Sequence, residues 1–144
     1  MTHTYRSLWR RNSRLALAGG ARLALGVLDR VAWLLLALLH LSPAMALVRP
    51  AIIEPLYGVA RDSAAFPLVR HRAALFVALV AICVWAMADP GVRRLASVAC
   101  AISMLTFLLL YRMAGAPRAL RTIALADLLF VPILAFAGWR AFTA

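Results

Sequence analysis

The chain has 144 residues, enough for one domain, and 65% of them are hydrophobic against only 15% charged. An average soluble domain is roughly 45–50% apolar, so this composition excludes a water-facing polar shell and points to lipid as the solvent. The charge is lopsided, with sixteen Arg, no Lys and five acids for a net +11. The Arg stand between apolar runs instead of lining one amphipathic face, which argues against nucleic-acid binding and for contact with lipid headgroups.

Residues 1–14 are polar and basic, with Arg6, Arg10, Arg11 and Arg14. A short apolar run from Leu15 to Leu28 follows, broken by Gly19, Gly20, Arg22 and Gly26 and closed by Asp29 and Arg30. No small-residue cleavage site of a secretory leader follows it. It reads as an interfacial helix with Arg22 reaching out to headgroups. Residues 1–30 are thus expected to form a basic, interfacial N-terminal segment ahead of a four-span domain over 31–144.

The first expected span is Val31 to Val48, closed by Arg49-Pro50, and Pro43 should kink it or end its regular part near His40. Its eighteen residues cover roughly 27 Å at about 1.5 Å each, enough for a thin bilayer. A connector from Arg49 to Pro67 carries Pro50, Pro55 and Gly58 as turn signals. The second span, 68–88, begins with Arg70, His71 and Arg72 in its first turn and stops at Asp89-Pro90-Gly91. The third, 95–111, lies between Arg93-Arg94 and Arg112, with Gly115 and Pro117 breaking the chain after it. The fourth, 123–139, holds Asp127 near its start, Pro132 at its middle and Arg140 at its exit. Trp33, Trp85, Tyr111 and Trp139 fall near span ends, where interfacial rings collect. The fold class is all-α, an integral-membrane four-helix bundle.

Four spans put both termini and the second connector on one side, with nine Arg, and the other two connectors on the opposite side, with seven. That bias favours cytoplasmic termini. The same topology brings the Glu54–Tyr57 connector, the Arg70-His71-Arg72 turn and the Arg112–Arg121 loop to one face. Asp127 lies about one turn into the fourth span from that face. A central Asp costs roughly 2.5–3.5 kcal/mol on insertion scales and faces a partner or a cavity. Its candidate partners are Arg70, Arg72, Arg121 and His71, either as a structural ion pair or as part of a ligand site.

His71, between two Arg, is a candidate proton carrier or a solvated helix-start residue. Glu54 and Tyr57 sit in a Pro-bounded E-P-L-Y-G turn that either caps the bundle or closes over a ligand. His40 reads as a packed, hydrogen-bonded residue, and Ser103 and Thr106, three apart, as polar residues at a tight helix contact. Cys83 and Cys100 lie in apolar runs with no CxxC and no Cys–His ligand spacing, so they read as small packing residues and no metal is expected. Dinucleotide, Walker, zinc-protease and nucleophile-elbow motifs are absent. No catalytic residue and no cofactor is assigned.

One pattern stands out among these positions: Glu54, Leu56, Tyr57 and Gly58, then Arg70, His71, Arg72, Ala73, Leu75 and Phe76, then Ser103, Met104 and Phe107, then Asp127. Over roughly residues 31–138 it resembles a family of small four-helix bacterial inner-membrane proteins of unknown function, DoxX-like in style. Members are often labelled phosphopantetheine adenylyltransferase. That enzyme is a soluble α/β nucleotide-binding domain with a phosphate-cradling Gly/His motif, which this chain does not contain. The resemblance implies a bundle and a set of polar positions in a bacterial inner membrane, and no reaction.

The leading expectation is therefore a membrane protein that binds a small amphiphile, a lipid, a quinone or a complex partner at its Arg/His/Asp face, where Arg70, Arg72, Arg112, Arg118 and Arg121 could cradle an anion. The rival is an intramembrane enzyme of isomerase or redox-accessory type that moves protons through Glu54, His71 and Asp127. A transporter is disfavoured by the lack of an inverted repeat. Beyond the lipid bilayer, a homodimer or a place in a larger membrane complex is the expected partner, because four short helices enclose little volume.

Overall fold

The computed structural model describes residues 2–143, with side chains described from residue 19 onward except at 21 and 22. Arg6, Arg10, Arg11, Arg14 and Arg22 fall among the undescribed side chains. The chain is an all-α bundle of five α-helices in the order α1 (Thr2–Ala44), α2 (Ile53–Tyr57), α3 (Phe66–Ala88), α4 (Arg93–Met113) and α5 (Arg121–Thr143). Single 3-10 turns at Pro50–Ile52, Pro90–Val92 and Arg118–Leu120 lead into α2, α4 and α5. Each opens on or beside a Pro, whose fixed φ suits a first helical position.

Four stretches are long and apolar enough to cross a membrane: Leu23–Ala44, Phe66–Ala88, Pro90–Met113 and Arg118–Thr143, with mean hydropathy of 1.8 to 1.9. The outer surface agrees, since Leu68, Leu75, Ile102 and Leu129 are all exposed. An apolar exterior of that extent would drive aggregation in water and is what a lipid-facing surface requires. The chain is a multi-pass membrane protein.

Spans two to four fall where the sequence placed them, but α1 differs. It runs without a break through Asp29 and Arg30, so the expected interfacial segment and the first span are one helix. Among the described side chains of α1 the first buried one is Asp29, while Leu23, Val27 and Leu28 are exposed. The helix ends at Ala44, just after Pro43, instead of continuing to Val48. Beyond it the backbone tightens into bonds three residues apart, Ala46 N–H to Pro43 O at 3.2 Å and Leu47 N–H to Ala44 O at 3.1 Å, the usual tapering of a helix end.

α1 is the hub of the core. Trp33, Leu36 and Ala37 pack with Cys83 and Ala86 of α3, Ala96, Cys100 and Met104 of α4, and Leu134 and Ala137 of α5. Most of these are small, which lets helix backbones approach where lipid supplies no hydrophobic drive. Trp33 is a correction: it is 1% exposed and fills the core, whereas Trp85 and Trp139 are exposed at span ends as expected of interfacial rings. The first connector folds back over the opposite end, burying Ala46 and Ile53 against Ala73. There Gly58 closes α2 at φ +68°, its N–H bonded to Glu54 O. Only Gly takes that conformation without cost.

Candidate functional site

The two ends of the bundle are built differently. At the end where α4 begins and α5 finishes, Asp29 is buried at 3% exposure and accepts hydrogen bonds from two guanidinium groups. Arg140 reaches it through Nε at 3.1 Å and Nη2 at 3.1 Å, and Arg93 through Nη1 at 3.2 Å. Arg93 Nε also donates to Ala86 O of α3 at 3.0 Å, and Arg94 Nε to Ala141 O of α5 at 3.2 Å. One buried acid thus ties α1 to α4 and α5, while the Arg cap carbonyls that the helix ends leave free. Sequence reasoning placed Asp29 and Arg30 only as the end of a segment. The available signal was an acid between two apolar runs, 15–28 and 31–48, with Arg30 beside it.

At the other end, α1, α2, α3, α4 and α5 enclose a cavity of about 230 Å³. Tyr57, Arg72 and Asp127 line it with His40, Ser103 and Thr122, and Phe76, Phe107, Leu38, Leu39, Leu56 and Ile123 supply apolar wall. Of the seven candidate residues on the face expected from topology, Tyr57, Arg72 and Asp127 line this one space. The other four, Glu54, Arg70, His71 and Arg121, are exposed and do not line the cavity. Arg112 and Arg118 are exposed too, so the expected five-Arg cradle contributes only Arg72 to the cavity wall.

The expected pairing of Asp127 is also corrected. Among the described residues the ion pairs within 4.0 Å are those of Asp29, and none involves Asp127. Asp127 is half-buried, on a cavity wall it shares with Arg72. Arg72 instead lays its guanidinium over the Phe76 ring at 5.5 Å, a contact worth about 0.5–1 kcal/mol at an exposed site. Burial pushes the Tyr57 phenol above its ordinary range, with Arg72 opposing the shift and Asp127 adding to it. The hydroxyl therefore stays a proton donor at neutral pH. Of Glu54, His71 and Asp127, the set a proton-transferring enzyme would use, only Asp127 lines the cavity.

Ser103 lines the cavity and also a shallower groove of about 380 Å³ between α3 and α4, shared with Arg72 and Phe76. Its expected partner Thr106 is exposed, and among the described residues neither makes a hydrogen bond across helices. Ser97, buried on α4, donates its Oγ within its own helix to Arg93 O at 2.8 Å. A Cβ built on Gly138 of α5 would lie 3.8 Å from the Ser97 side chain.

A second group was not anticipated as a group. His40, Cys83 and Cys100, read separately as packing residues, are all buried, with one ligand-capable atom of each within 4.8 Å of the others. Their spacing of 43 and 17 residues along the chain matches no local motif, and only the meeting of α1, α3 and α4 brings them together.

Fold and cavity together define a multi-pass membrane protein with four apolar spans and a partly open, partly polar pocket at one end. Comparison of the chain with known protein families, with curated proteins and with solved structures found no match.

Proposed function

We propose that the protein binds the head of a small amphiphile, of quinone or quinol type, in the cavity between its helices. The observation that supports this reading most is the mixed lining: polar groups such as Tyr57, Arg72, Asp127, His40 and Ser103 on a wall that also includes the apolar Phe76, Phe107, Ile123 and Leu side chains. A few convergent polar groups in an apolar pocket are what orient a small ligand. The volume of about 230 Å³ falls below the roughly 300–1,000 Å³ of pockets that take whole drug-sized molecules, so it suits a ring and not a complete lipid. Tyr57, Arg72 and Ser103 can donate to ring carbonyls, and the Asp127 carboxylate can accept from a reduced ring hydroxyl. The groove past Leu75 and Ile102, both exposed on the outer surface, gives the apolar tail a way to the bilayer.

The setting belongs to the same proposal: a bacterial inner membrane, both termini cytoplasmic on the nine-to-seven Arg bias, and kinship with DoxX-like proteins through the E-x-x-Y-G and R-H-R-A-x-L-F positions. Two of the polar cavity residues, Tyr57 and Arg72, come from those two stretches.

The test is equilibrium binding of a short-tailed benzoquinone to the protein in lipid nanodiscs. Tyr57→Phe and Asp127→Asn should each weaken binding several-fold to about tenfold, the effect of one hydrogen bond. Equal affinity in both variants and wild type, or binding abolished by excess anionic lipid, would sink the reading.

A further inference from the structure

We propose that His40, Cys83 and Cys100 form a binding site for a thiophilic d10 cation, zinc(II) or copper(I), in the membrane interior. The three side chains are 2%, 0% and 0% exposed, and their ligand-capable atoms lie within 4.8 Å of one another. The two sulfurs are 3.4 Å apart and both are free thiols. Two sulfurs and an imidazole are a donor set that soft cations select, and hard cations such as magnesium or calcium do not.

The imidazole is already set for this role. His40 Nδ1 lies 2.8 Å from the backbone oxygen of Leu36, and a carbonyl can only accept. Nδ1 therefore carries the proton in the neutral ring, which leaves the lone pair on Nε2 for a ligand. A metal-binding histidine is characteristically held in this way, its second nitrogen donating to a carbonyl that fixes tautomer and ring orientation.

Charge and access fit as well. Each thiol that binds loses its proton to solvent as the sulfur–metal bond forms. Zinc(II) with both thiolates leaves the site neutral, and so does copper(I) with one thiolate and one thiol. Neutrality matters where an uncompensated charge is costly. An ion need not cross the packed core to arrive, because His40 also lines the cavity, as does Ser103, three residues beyond Cys100 on α4.

The experiment uses the full chain, reduced and solubilised, titrated separately with cobalt(II) as a visible stand-in for zinc(II) and with copper(I) against a coloured chelator. The expected result is saturable binding near one ion per chain, with a thiolate-to-cobalt charge-transfer band in the first arm or chelator bleaching in the second. Whichever ion binds identifies the class. Cys83→Ser, Cys100→Ser and His40→Gln should each weaken binding by at least the roughly 10–100-fold that loss of an outer-shell partner causes. X-ray absorption of the ion bound to the wild-type chain should show sulfur among its ligands, a readout that needs no variant to fold. No saturable binding of either ion overturns the proposal. So does binding that survives Cys83→Ser with Cys100→Ser. Tyr57→Phe and Asp127→Asn should leave the ion's affinity unchanged, which separates this site from the amphiphile reading.

Discussion

Arg140 closes on Asp29 through two hydrogen bonds of 3.1 Å each, across 111 residues of chain, and so fastens the last helix to the first. Arg93 adds a third at 3.2 Å. The acid is buried, so removing it would leave two guanidinium groups facing each other with no counter-ion. Breaking a buried pair by deleting one partner costs about 3–5 kcal/mol. Asp29→Ala is expected to lose stability on that scale, measured by thermal unfolding in detergent. Asp29→Ala combined with Arg93→Met should recover part of the loss, because the two changes are coupled. Strict additivity would mean the three groups are solvated independently.

The close contact of α4 and α5 supplies a second expectation. Gly138 faces Ser97 with room for one methyl, the nearest side-chain atom being 3.8 Å from an added Cβ. Gly138→Ala should be near neutral, and helix propensity adds up to about 1 kcal/mol in its favour. Gly138→Leu should separate the helices at a cost of about 1–3 kcal/mol, typical of overpacking. Unfolding curves of the two variants check this, and equal stability would show that the interface is loose.

Topology can be checked without purification. A reporter fused after residue 144 should read cytoplasm, and one inserted at Ala116 should read periplasm. Ala116 suits an insertion, being exposed and held at φ +55° beside Gly115, an uncomfortable turn for a non-Gly residue. The two reporters on one side would remove the even number of crossings, and with it the meeting of Tyr57, Arg72 and Asp127 at one end.

The four spans were legible because length, hydropathy and Pro/Gly punctuation are local signals, and Asp89-Pro90-Gly91 stops α3 where it was read to stop. The boundary at Asp29 was misread for a physical reason. An acid beside an Arg looks like the edge of a membrane segment, but a buried acid with two Arg from distant helices costs little backbone regularity. The helix passes straight through it. Asp127 was found by its position in an apolar span, and Tyr57 and Arg72 by the parity of the connectors. Their shared cavity was not legible, since its walls depend on how five elements pack. His40, Cys83 and Cys100 were missed as a set for the same reason: each sits in a locally apolar run, and only the crossing of three helices makes them neighbours.

The reading of the pocket also bears on the R-H-R turn. Arg70, His71 and Arg72 are all exposed, and of the three only Arg72 lines the cavity. Arg72→Gln should therefore reduce quinone affinity more than Arg70→Gln or His71→Gln, which should match wild type within about twofold. Titrations of the three variants decide it. Equal losses across all three would indicate a diffuse electrostatic effect instead of a placed contact.

The central claim is that the space bounded by Tyr57, Arg72 and Asp127 is a ligand site. Ala126 lines it on α5, one residue before Asp127, and Ala126→Phe would fill the space without replacing a polar group. Quinone binding to this variant in nanodiscs, read beside its thermal stability, is the most direct test. The account expects binding to disappear while stability holds or rises, as filling an empty cavity commonly gives. Undiminished binding by a chain whose cavity is filled would contradict it.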